Sequence, residues 1–164
     1  MTILGLDPGT ATTGYAVLKK ENNKISLIDY GCISTDKKTA PSKRLKQISD
    51  DLNTLIKTFT PTIASVEKIF FNTNIKTAIS VAQARGVLLN TLEQNNISHF
   101  EFTPLQIKSA VCGYGKADKK MVQHMTKTIL SLKEVPKPDD AADAIAAAIC
   151  LANTTINTWW KKNL

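Results

Sequence analysis

A chain of 164 residues, 43% hydrophobic and 21% charged, fits one globular domain over residues 1–164 and excludes both a disordered chain and a fibrous repeat. No apolar run reaches the ~20 residues of a membrane span, because Asp143 interrupts the richest stretch and Asn153 follows it; Met1 to Gly9 has no basic leader with an apolar block, so a cytoplasmic location is expected. Lys and Arg number 21 against 14 Asp and Glu, a formal net charge of +7 that favours a polyanionic partner without requiring one.

Thr2 to Leu6 is a short apolar run that stops at Asp7-Pro8-Gly9, and Pro-Gly is turn chemistry, so Asp7 is expected where a strand ends. Tyr15 to Leu18 and Ile25 to Ile33 read as two further strands joined through Glu21-Asn22-Asn23, an antiparallel start. Ser42 opens a helical pattern with Leu45, Ile48, Leu52, Leu55, Ile56 and Phe59 on one face, and Pro61 follows its end. Thr62 to Val66 gives a short buried strand ending at Glu67, and Ile69-Phe70-Phe71-Asn72 reads as a loop. The next helix, about 74–94, carries an apolar band wide enough to face both a sheet and a second subunit. Ser98 to Phe102 reads as the last strand. Helices are expected from Pro104, from about Ala117 to Leu132 after a glycine-bearing loop at Cys112 to Lys116, and from about Asp139 to Asn153. This order predicts an α/β fold with a mixed five-stranded sheet and helices on both faces. Cys32, Cys112 and Cys150 show neither CxxC nor metal spacing and read as reduced core thiols.

Four acids stand out. Asp7 and Glu67 fall at the carboxyl ends of expected strands, where open α/β sheets present functional groups. Asp140 and Asp143 share one face of the last helix, and their alanine neighbours let that helix approach a sheet closely. Four clustered carboxylates repel one another, and a hard divalent cation such as Mg²⁺ relieves this while activating water and neutralising a phosphate. The plainer readings are a turn-initiating Asp7, a solvated strand-end Glu67 and first-turn acids that complement the helix dipole. Spacing does not choose between Asp139 and Asp140 as the partner of Asp143.

Taken in order, Ile3-Leu4-Gly5-Leu6-Asp7-Pro8-Gly9 with Thr13-Gly14-Tyr15, Val66-Glu67, Gln83-Ala84-Arg85-Gly86, Gln123-His124-Met125 and Asp140-Ala141-Ala142-Asp143-Ala144 resemble the RuvC family of Holliday-junction resolvases. The resemblance runs over nearly the whole chain. It implies an RNase H-like fold and a homodimeric endonuclease that uses Mg²⁺ or Mn²⁺, two ions per site, to cut opposed strands of four-way junction DNA, working with the branch-migration proteins RuvA and RuvB. It places the family's metal-binding acids on Asp7, Glu67, Asp140 and Asp143, and so selects Asp140 over Asp139. It also places lysines near the cleft at Lys108 and Lys119, where they could hold the scissile phosphate, and a loop aromatic that intrudes at the junction centre at Phe70. Lys68 departs from the family, which often has an uncharged residue after the glutamate. His124 is left as a structural or phosphate-contacting residue, and Trp159-Trp160-Lys161-Lys162 lies outside the resemblance as a packed or frayed terminus.

Two rivals differ in class. Leu6-Asp7-Pro8-Gly9-Thr10 through Gly14 also resembles the first phosphate loop of actin-like ATPases and sugar kinases, but those pair two related domains and the chain is too short for both. A non-catalytic junction-binding module would gain only repulsion from four acids in its groove.

Overall fold

The computed structural model describes residues 1–22, 24–69 and 75–154. Strands β1 (Thr2–Asp7), β2 (Thr12–Glu21) and β3 (Lys24–Ser34) form an antiparallel meander, in which Leu6 pairs with Tyr15 and Asp7 with Gly14. Strand β4 (Ile63–Glu67) then pairs parallel to β1, and β5 (His99–Phe102) pairs parallel to β4, giving the order β3-β2-β1-β4-β5. The central β1 and β4 read as continuous apolar runs because both of their faces are covered. The second and third strands outrun the expected Tyr15–Leu18 and Ile25–Ile33. Their polar ends stay in the ladder through pairs such as Thr12 with Ser34 and Glu21 with Lys24, which the apolar pattern does not register.

Helices α1 (Pro41–Phe59) and α2 (Ile75–Gln94) cover one face, closing a core of Leu4, Leu6, Val17, Ile48, Leu52, Leu88 and Leu92. Helices α3 (Pro104–Cys112), α4 (Lys119–Ile129) and α5 (Asp139–Asn153) cover the other, around Ile3, Leu18, Ile107, Val122, Ile145 and Ile149. The mixed sheet with helices on both faces is as expected. Helix α4 is shorter than Ala117–Leu132: the Asp118 carboxylate caps its start by accepting from the Met121 N–H at 2.8 Å, and Ser131, at φ 52°, takes the chain out of helical geometry. The apolar band of α2 splits, with Ala84, Leu88 and Leu92 fully buried and Ile79 70% exposed. Arg85 points from α2 to β5, where it pairs with Glu101 at 2.5 Å.

Helix α5 sits centrally, and Ala141, Ala142 and every residue from Ala144 to Ala152 are buried. Its seat is made by two glycines. A methyl group at Gly14 would collide with the Asp140 carbonyl, and one at Gly5 with the Ala144 carbonyl and the Ala148 side chain. Ser65 on β4 donates to the Ala147 carbonyl at 2.7 Å, so the buried carbonyl keeps a second partner across the same seam. Of the three cysteines, all free, only Cys150 lies in the core; Cys32 and Cys112 are half-buried. No helix among the described residues is long and apolar enough to cross a membrane.

Candidate active site

Parallel pairing of β1 with β4 aligns their carboxyl ends and brings Asp7 and Glu67 side by side at one edge of the sheet. The glycine seat then holds the first turn of α5 over that edge, which places Asp140 and Asp143 above them. Burial comes first among the forces on Asp7; Glu67, Asp143 and Asp140 add their repulsion, Lys119 opposes it, and the carboxyl rises from 3.8 to about 8. Glu67 rises from 4.5 to about 7, again mainly by burial and then by Asp143, against the pull of Lys108 and Lys119. Burial also lifts Asp143, with Lys119 pulling against it. Each of these acids is therefore held in an environment that disfavours its own negative charge.

Two lysines answer that charge. Lys119, the first residue of α4, sets its ammonium 3.2 Å from an Asp143 oxygen and 3.2 Å from an Asp139 oxygen. Those carboxylates keep its ammonium above the ordinary lysine range although desolvation pulls the other way. Lys108, on α3, lines the same cleft, a pocket of about 190 Å³ whose walls include Glu67, Asp143, Ile107 and Val122. Helix α3 is fixed by a reciprocal cap between Thr103 and Gln106, which aims Lys108 one turn further on.

The donor set is entirely carboxylate oxygen, which suits a hard divalent cation. Among the described residues, no three carboxylate, imidazole or thiolate groups already stand at the spacing of a formed metal centre. The ammonium of Lys119 meanwhile supplies positive charge next to Asp143.

The structure thus brings together Asp7, Glu67, Asp140, Asp143, Lys108 and Lys119, all singled out in the sequence. Phe70 and the Trp159-Trp160 segment lie outside the described residues. His124 is exposed on α4, where its carbonyl accepts from the Thr128 hydroxyl. Two contributions escaped sequence reasoning. One is the seat at Gly5 and Gly14, for which the only signal was the alanine run on α5. The other is Asp139, which faces outward and pairs with Lys119 while Gln123 donates to its second oxygen at 3.0 Å.

A five-stranded mixed sheet with acids on its first and fourth strands and on a last helix laid across them is the architecture of the RNase H-like nucleases, and solved RuvC structures share the fold. A Thermus thermophilus RuvC structure superposes with a TM-score of 0.87 at 29% identity, covering 96% of this chain and 97% of the other. The same organism's RuvC in complex with a Holliday junction substrate gives 0.86 at 27% identity, covering 96% of each. The crossover junction endodeoxyribonuclease RuvC of Finegoldia magna is 51% identical over 150 residues, 92% of each chain, and that of Halothermothrix orenii 50% over 161 residues, 98% of each. With its residues 3–151 matching the model of crossover junction endodeoxyribonuclease RuvC, the chain belongs to the RuvC family.

Proposed function

We propose that this protein resolves four-way DNA junctions by metal-dependent hydrolysis of phosphodiester bonds in opposed strands during recombination and repair. The observation that carries the reading is the convergence of four carboxylates from β1, β4 and α5 on one cleft with Lys108 and Lys119 at its mouth. A family relative of like fold is known in complex with a Holliday junction substrate.

In this reading Asp7, Glu67, Asp140 and Asp143 hold Mg²⁺, with Mn²⁺ able to substitute, and two ions per site. When bound, the cation would neutralise the carboxylates, lower the pKa of a water and withdraw charge from the phosphate. The remaining work belongs to the chain's own residues. Burial of Asp7 and Glu67 keeps bulk water from screening the site, which strengthens every charge contact made there. Lys119 and Lys108 hold the non-bridging oxygens of the scissile phosphate and stabilise the charge that grows on them. Phe70 follows Glu67 by three residues, and its ring enters the junction centre and stacks on an opened base.

A four-way junction has approximate two-fold symmetry, which a C₂ homodimer matches. The exposed Ile79 on α2 supports pairing of two copies through that helix. RuvA and RuvB are the branch-migration partners. Cleavage of an end-labelled synthetic junction, with and without Mg²⁺, tests the reading. Paired cuts at symmetry-related positions that need the metal are expected, and metal-independent or single random nicking would refute it. Sedimentation at micromolar concentration should show a dimer, and Ile79→Glu should shift it toward monomer.

A further inference from the structure

The Lys119 ammonium has three N–H directions. One meets Asp143, which points into the carboxylate cluster, and one meets Asp139, which is 63% exposed and points out of it. Asp139 and Asp143 are four residues apart on α5, so they sit one above the other on the same face. Gln123 stands four residues beyond Lys119 on α4, and its amide donates to the Asp139 oxygen that Lys119 leaves free. The result is a clamp across two helices, in which Asp139 is gripped at both oxygens by α4. Exposed ion pairs contribute little to stability, so the clamp's worth lies in where it puts the ammonium. Asp143 is shared between Lys119 and the carboxylate cluster, whereas Asp139 lies on its outer side and reaches the cluster only through its repulsion of Asp143.

We propose that Asp139, itself oriented by Gln123, is a positioning residue that keeps Lys119 at the mouth of the cleft when Asp143 turns to a cation, leaving the third N–H direction for a phosphate oxygen. This rests on the reading of Lys119 as a phosphate-holding residue. It also gives Asp139 a task distinct from that of its neighbour Asp140, although the two acids adjoin in sequence. Loss of the outer arm lets the lysine swing on its four-carbon stem, and a poorly oriented cation stabilises the transition state less.

The test is a double-mutant cycle on the full-length protein. Asp139→Ala should slow single-turnover cleavage of a synthetic junction roughly tenfold at saturating protein, a loss common for groups that orient a catalytic side chain. Junction affinity should stay equal or tighten, since one negative charge leaves the DNA face. Gln123→Leu should give a smaller loss in the same direction. In a Lys119→Ala background, Asp139→Ala should cost nothing further. A second readout needs neither metal nor DNA: the ¹⁵N signal of the Lys119 ammonium, assigned by its absence in Lys119→Arg, should show slow proton exchange in the wild type and fast exchange in Asp139→Asn. A full tenfold loss in the Lys119→Ala background, or unchanged ammonium exchange in Asp139→Asn, would overturn the proposal. Normal cleavage by Lys119→Ala would instead overturn the underlying reading of the site, whereas impaired Lys119→Ala beside normal Asp139→Ala would overturn this inference alone.

Discussion

Raising the pH of the metal-free protein should weaken it, and a divalent cation should reverse the loss. Asp7 binds its proton far more tightly in the folded chain, at about 8, than at its ordinary 3.8, and Glu67 does so at about 7 against 4.5. Between about pH 4 and pH 8 the native state therefore holds more protons than the unfolded one, so stability falls as pH rises through that window and levels off above it. At about 1.4 kcal/mol for each tenfold, Asp7 alone accounts for roughly 6 kcal/mol. Glu67 feels some of the same burial and repulsion, so its share overlaps rather than doubles this. For a chain of this size, that corresponds to a drop in melting temperature on the order of 20 °C. The assay is thermal unfolding followed by circular dichroism at pH 5.5 and pH 8.5, in chelator and in Mg²⁺, for the wild type and Asp7→Asn. Mg²⁺ should raise the melting temperature strongly at pH 8.5, where it finds ionised ligands, and little at pH 5.5, where protons compete. Asp7→Asn should flatten much of the pH dependence in chelator. A wild-type melting temperature that falls no more than that of Asp7→Asn would refute the reasoning.

Other substitutions test the remaining parts. Asp143→Asn should abolish cleavage while keeping or tightening junction binding, as read by gel shift beside a cleavage assay. Lys108→Ala and Lys119→Ala should each lower the single-turnover rate ~10²-fold with little change in melting temperature, because each removes a cation from the transferred phosphate. Gly14→Ala should cost roughly 1–3 kcal/mol in a urea melt, and should lose more activity than that cost explains, since the methyl group displaces the Asp140 backbone. Phe70→Ala should weaken the fluorescence change of 2-aminopurine at the crossover by removing a stack worth about 1–3 kcal/mol, with the melting temperature nearly unchanged.

The mixed character of the sheet was legible because strand type and connection length constrain it: two tight turns give an antiparallel meander, and helix-length crossovers suit parallel pairing, whereas the order β3-β2-β1-β4-β5 came only from the structure. Asp7 and Glu67 were legible as strand-end acids for the same reason. The ends of β2 and β3 were not, since Thr12 and Glu21 are held by backbone ladder bonds that leave no apolar signature. On α5, a spacing of three or four residues made Asp139 and Asp140 equivalent. What separates them is the rotation of the helix on Gly5 and Gly14, which turns Asp140 toward Asp7 and Asp139 toward Lys119. Such rotation is a tertiary fact, carried by residues more than a hundred positions away in the chain. The Lys119 clamp was hidden similarly, because neither Gln123 nor Asp139 is unusual on an exposed helix face.

The seating of α5 also fixes when the site comes into being. The acids enter the chain at positions 7, 67, 140 and 143, and only the Ile3–Ile63 pairing and the docking of the last helix bring them together. These are contacts of long sequence separation, which form late and lose the most entropy on closure. During synthesis, a chain that has not yet emitted α5 has a strand-end aspartate and glutamate but no α5 acids. On the proposed reading of the acids, the capacity to cut DNA is thereby tied to completion of the fold: nascent chains and folding intermediates without a docked α5 lack the full acid cluster.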